Sequence, residues 1–97
     1  MSRRRVDLAK AAHAVDELLD ALGLDVRADP ELRETGTRVA SAWSGELLDG
    51  YDLDPAAILA ESTASTARGL VVLANVPVAT MCPHHLLPAQ GLAHVGY

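Results

Sequence analysis

The chain has 97 residues, with eight Lys or Arg against thirteen Asp or Glu, a net charge of −5 and a single cysteine. That length permits one small domain with a modest core, and the acidic balance argues against nucleic-acid binding, which requires a basic face. One cysteine excludes an internal disulfide and fits a reducing cytosol.

Hydrophobic residues make up 49% of the chain but aromatics only 3%, with no Phe, so the core must be built from Ala, Leu and Val. A domain this small without disulfides leans on oligomerisation or a metal. The lead Met1-Ser2-Arg3-Arg4-Arg5 runs into charged helix rather than an apolar h-region, so it is not read as a secretory signal. No apolar run reaches membrane-spanning length, which predicts a cytoplasmic protein without a membrane partner. The arginines read as a solvated terminus in preference to an anion-binding arm. In the first helix Leu8, Ala12, Val15, Leu19 and Leu22 recur at helical spacing, with Asp7, Asp16, Glu17 and Asp20 on other faces. Gly23 stands where a C-terminal cap belongs, so residues 1–23 form an N-terminal helical segment and residues 24–97 the remainder. His13, beside the apolar stripe, reads as a surface or packing residue.

Asp29-Pro30 predicts a helical turn, and Thr35 can cap a fresh helix. From Thr37 to Leu48 the helical pattern returns with Val39, Trp43 and Leu47 on one stripe, ending at Asp49-Gly50. Trp43 reads as a packing residue in preference to a purine-stacking one. Asp54-Pro55 repeats the cap signal for a short helix to Ala60, and Glu61 to Arg68 is an exposed loop. A first strand is predicted from Gly69 to about Val78, with Leu70-Val71-Val72-Leu73 buried on both faces and Pro77 at a strand end or bulge. A second runs from Gly91 to Tyr97, antiparallel to the first if the intervening turn folds back. The fold class is therefore α+β, N-terminal helices followed by antiparallel strands. Tyr97 falls inside an apparent strand, and a two-stranded ribbon is marginal alone, so another chain is expected to complete the sheet, unless the sequence is a fragment.

Between the strands lies Met81-Cys82-Pro83-His84-His85-Leu86-Leu87-Pro88, with the only cysteine and two of the four histidines. The C-x-x-H spacing of Cys82 and His85 lets a thiolate and an imidazole reach one metal ion from a single tight turn. Zn2+ takes such ligands in tetrahedral geometry, with three protein ligands and a water at a catalytic site. His84, between them, would point elsewhere and is placed for proton transfer. The plainer alternative is a structural cysteine in a turn with two surface histidines, and two ligands do not complete a site. Spacing leaves both open.

The segment Cys82-Pro83-His84-His85, followed by Gly91-Leu92-Ala93-His94-Val95-Gly96-Tyr97, resembles the signature of GTP cyclohydrolase I, a C-E-H-H segment running into G-x-A-x-V-x-Y. Upstream, Thr35-Gly36-Thr37-Arg38-Val39-Ala40 is similar to the family's T-P-x-R-V-A helix start, and Leu48-Asp49-Gly50-Tyr51 to its F-x-G-Y helix end. The resemblance runs from about Leu24 to Tyr97, the N-terminal half of a usual member. It implies half of a tunnelling-fold (T-fold) subunit and an oligomer with active sites between subunits. It also implies conversion of GTP and water to 7,8-dihydroneopterin triphosphate and formate. By the same resemblance Cys82 and His85 would ligate zinc and His84 would be the adjacent acid/base.

Some positions depart from the family pattern. Pro83 replaces an acidic residue, removing a partner for the ligand shell and stiffening the turn. Gly36 stands in place of proline, and the acidic residue expected before the first strand is replaced near Arg68-Gly69. The third zinc ligand, the glutamate that reads guanine and the cations that hold the triphosphate would lie in the other half. Within this chain only His94 could substitute as a ligand. The cations outside the N-terminal cluster (Lys10, Arg27, Arg33, Arg38 and Arg68) are scattered, so a phosphate clamp must come from elsewhere, for example a separate C-terminal-half subunit. The alternative reading is a non-catalytic module that adds its strands to a full-length homologue, in a homo- or hetero-oligomer.

Overall fold

The computed structural model describes residues 4–97, so Met1, Ser2 and Arg3 of the basic lead lie outside the described residues. The chain divides into two units, Met1–Leu53 and Asp54–Tyr97.

In the first unit, α1 spans Leu8–Ala21. Asp7 is extended, and its carboxylate accepts the Lys10 N–H at 3.0 Å, satisfying one of the helix's free amides. At the other end Gly23 takes φ +87, a left-handed conformation that glycine adopts without penalty. Its N–H donates to the Asp20 carbonyl, and the Leu24 N–H to the Leu19 carbonyl, both at 3.0 Å, the paired bonds of a Schellman cap. The expected stop at Gly23 is where the helix ends.

The connection to the next helix is built from aspartate turns. Asp25 accepts the Arg27 and Ala28 N–H groups at 3.1 and 3.0 Å, and Asp29 accepts that of Glu31 at 2.9 Å. Asp29-Pro30 therefore opens a turn that closes through the Leu32 N–H on the Asp29 carbonyl at 3.1 Å. Helix α2, Thr35–Ala42, begins without a side-chain cap: its preceding residue is Glu34, and the Thr35 hydroxyl instead donates back to the Glu31 carbonyl at 3.3 Å. Thr35 is thus the first helical residue, and its expected capping role is not realised, because the preceding carbonyl captures its hydroxyl.

Helices α1 and α2 pack against each other, and Gly36 is buried at their contact. A Cβ at Gly36 would overlap the Ala12 carbonyl oxygen and the Asp16 carboxylate. Val26 and Ala40 are the buried apolar side chains of this core. Beyond Ala42 the helix widens into a π turn over Trp43–Leu47, closed by the Leu48 N–H on the Trp43 carbonyl at 2.8 Å, and then tightens into a 3-10 turn over Asp49–Asp52.

Arg4 is not a solvated arm. Its backbone N–H and Nε donate to Asp52 Oδ1 at 2.9 and 3.2 Å, and its Nη2 donates to Asp52 Oδ2 at 3.2 Å and to the Ser44 carbonyl at 3.3 Å. Two carboxylate oxygens facing a guanidinium and an amide outcompete solvent for this side chain.

In the second unit Asp54 caps the short α3, Pro55–Leu59, by accepting the Ala56 N–H at 3.1 Å, with Pro55 in the first position where its missing N–H is harmless. Strands β1, Val72–Met81, and β2, Pro88–Gly96, form an antiparallel two-stranded sheet. The ladder extends to Val71 and Tyr97, which exchange N–H···O bonds at 2.8 and 2.9 Å. Helices followed by antiparallel strands are the α+β arrangement expected from the sequence. The strands begin three residues away from the predicted starts, because the ladder is set by the tight turn between them.

Burial of Leu70 to Leu73 on both faces is not observed: Leu70 is 75% exposed and Leu73 56%. A two-stranded ribbon supplies no second layer of its own to cover an apolar run, however hydrophobic that run is. Pro77 lies in mid-strand opposite Leu92, and the bulge falls ahead of it. Leu73 pairs with Val95 and Val76 with Ala93, so Ala74 and Asn75 together oppose His94. No helix among the described residues is long and apolar enough to cross a membrane.

Candidate metal centre

The six residues between Met81 and Pro88, which pair with each other, form the hairpin tip. The Leu86 N–H donates to the Cys82 carbonyl at 2.8 Å, and the Cys82 N–H to the Leu87 carbonyl at 3.0 Å. These two bonds wrap Pro83-His84-His85 into a single turn. Pro83 follows Cys82 where no amide is needed, which is why an otherwise disruptive residue is accommodated. Leu86 pays for the tightness with a φ of +54, a left-handed conformation rare for a non-glycine side chain.

The turn brings Cys82 and His85 together. Cys82 Sγ lies 4.0 Å from His85 Nδ1, with Cys82 half-buried and His85 exposed. Ligands sharing one tetrahedral zinc sit roughly 3.6 Å apart, given ordinary Zn–S and Zn–N bond lengths. A small side-chain rotation closes the difference, so thiolate and imidazole fit two corners of a zinc site. His84 is exposed on the same turn. Among the described residues no group of three or more His, Cys, Asp or Glu is gathered to hold a metal ion.

His13 is exposed on α1 and pairs with Glu17, one helical turn on, at 3.1 Å. His94 lies on β2 and accepts the Asn75 N–H at Nδ1, at 3.0 Å. Sequence reasoning missed this engagement. Its signal was Asn75 itself, a residue disfavoured in strands and tolerant of left-handed backbone, inside an apolar strand pattern.

A helical unit, followed by an antiparallel hairpin whose tip brings a thiol beside an imidazole, defines an α+β chain with a Cys-x-x-His turn. Comparison with known proteins makes that class specific. The family model described as GTP cyclohydrolase I matches residues 11–97. The protein called GTP cyclohydrolase 1 of Chromobacterium violaceum is 43% identical over 95 residues, covering 97% of this chain and 45% of the relative. Those of Ralstonia nicotianae and Corynebacterium aurimucosum are 39% and 40% identical, covering 44% and 48% of their own lengths. This chain belongs to the GTP cyclohydrolase I family, whose fold is the T-fold. It spans slightly less than half the length of these relatives.

Proposed function

We propose that this chain supplies the metal turn of a GTP cyclohydrolase I-type site, acting on GTP with release of formate and formation of 7,8-dihydroneopterin triphosphate. The observation that carries the reading is the family match over residues 11–97 together with the side-by-side placement of Cys82 and His85 in it. In this proposal the Cys82 thiolate and the His85 imidazole hold Zn2+, and a third ligand comes from a further polypeptide segment. When bound, zinc supplies Lewis acidity and a water whose pKa falls to about 7. His84, exposed on the same turn, would be the acid/base residue that passes a proton to a guanine ring nitrogen while water adds at C8, favouring ring opening. Pro83 keeps the turn stiff, so that the donors stay oriented between turnovers.

The net charge of −5 gives this chain no strong hold on a triphosphate. The phosphate clamp, like the third ligand, is assigned to the further segment, whether on the same polypeptide or on a separate subunit of a homo- or hetero-oligomer. In this proposal the compartment is a reducing cytoplasm, which the single free thiol of Cys82 supports. The test is formate release from GTP by the complete assembly carrying Cys82→Ser. Loss of both zinc and turnover is expected, and unchanged zinc content and rate would remove the assignment.

A second reading is favoured by the open ribbon, in which Leu92 is 62% and Val95 50% exposed. In it the chain is a non-catalytic module that docks its strands against a full-length homologue. Mixing it with such a homologue separates the two. A module alters the homologue's assembly or rate and leaves both insensitive to Cys82→Ser.

A further inference from the structure

A β-bulge frees backbone groups that the ladder would otherwise pair, and their partners must be found elsewhere. In β1 the extra residue falls at Ala74-Asn75, opposite His94, and Asn75 carries a φ of +58. The freed Asn75 N–H is taken up by the His94 side chain, with N to Nδ1 at 3.0 Å.

A backbone N–H can only donate, so Nδ1 must present its lone pair. In a neutral imidazole the proton then sits on Nε2. That tautomer leaves no lone pair for a metal: Nδ1 is occupied by Asn75, and Nε2 carries hydrogen. His94, the one other side chain on the strands that sequence alone leaves as a substitute ligand, is engaged in a different task.

The task has a consequence along β1. Side chains alternate between faces with a period of two, and one inserted residue exchanges the faces of everything on one side of it. Val76 to Met81 follow the bulge and lead directly into Cys82. The phase set at Asn75 therefore governs how this strand presents its side chains as it enters the Cys82–His85 turn.

We propose that His94 is a positioning residue, fixed as the Nε2–H tautomer, that locks the β1 bulge and so sets the strand phase leading into the metal turn. Nitrogen NMR of the full chain with labelled histidine reads the tautomer directly. The proposal expects a bare Nδ1 and a protonated Nε2 for His94, and a hydrogen on Nδ1 would overturn it.

Amide exchange at Asn75 gives the second readout. His94→Asn keeps an acceptor oxygen on a short stem, whereas His94→Leu has none. Exchange of the Asn75 amide is expected to stay close to the parent rate with Asn, and to be roughly five- to tenfold faster with Leu. Equal rates in all three proteins would overturn the proposal. If the Leu protein does not fold, the ring spectrum of the parent decides.

Discussion

Gly36 shows how a single missing methyl can organise a helix pair. Glycine in a helix is less favourable than alanine by about 1 kcal/mol, so propensity alone would reward Gly36→Ala. The α1–α2 contact reverses the sign, because the new Cβ would meet the Ala12 carbonyl and the Asp16 carboxylate. Overpacking of this kind is worth about 1–3 kcal/mol, so Gly36→Ala is expected to lower the urea midpoint. A variant more stable than the parent would mean the helices do not approach this closely. The same scale separates the three residues of the turn. Removal of Cys82 or His85 should lower zinc content and turnover together in the complete assembly. His84→Ala should leave the metal bound and lower turnover about 10²–10⁴-fold, the usual contribution of a positioned acid or base. Metal analysis beside formate release distinguishes the two outcomes, and metal loss in the His84 protein would make it a ligand instead.

Two local devices hold the elements in place, and each has its own test. Asp52 gathers the backbone and side chain of Arg4 onto the 3-10 turn that follows α2, with Arg4 and Asp52 only 28% and 19% exposed. Charge-assisted bonds of this type are worth about 1–3 kcal/mol when partly buried. Asp52→Ala should lower the unfolding free energy by about that amount, with a lower thermal midpoint, and no change would leave the contact without energetic weight. At the bulge, Asn75→Gly should be tolerated because glycine adopts φ +58 freely. Asn75→Val should cost about 1–2 kcal/mol, since a β-branched side chain is strained there. Equal stability of the two would argue against a left-handed residue at this position.

The same elements show what could be read from the chain in advance. The Gly23 stop, the Asp54-Pro55 start and the C-x-x-H turn are local chemistry, written in adjacent residues, and the structure places them where the pattern does. The Thr35 cap failed because the Glu31 carbonyl competes for the hydroxyl, which depends on how the preceding turn closes. Arg4 on Asp52 and Asn75 on His94 are separated by 48 and 19 residues, so neither pairing is written in adjacent residues, although Asn75 within an apolar strand marks the bulge. Trp43 looked like one point on a continuous helical stripe, yet the helix widens to a π turn from that residue onward.

At the scale of the whole molecule, the apolar residues of β1 and β2 gain little from burial within this chain. Val72, Leu73, Leu92 and Val95 are each at least half exposed. An exposed apolar ribbon with open edges is stabilised by further strands or by a covering layer. A chain spanning less than half of its relatives' length is proposed to find both in the remaining polypeptide of a T-fold assembly. The turn at Cys82 and His85 is proposed to hold one part of a zinc site completed from outside residues 1–97. Native mass spectrometry of the purified protein, with metal analysis, tests it most directly. The expected result is an oligomer that carries zinc, contains polypeptide beyond this 10.2 kDa chain, and loses its metal on Cys82→Ser. A metal-free assembly that includes the additional polypeptide, or one whose zinc is indifferent to Cys82→Ser, would contradict it.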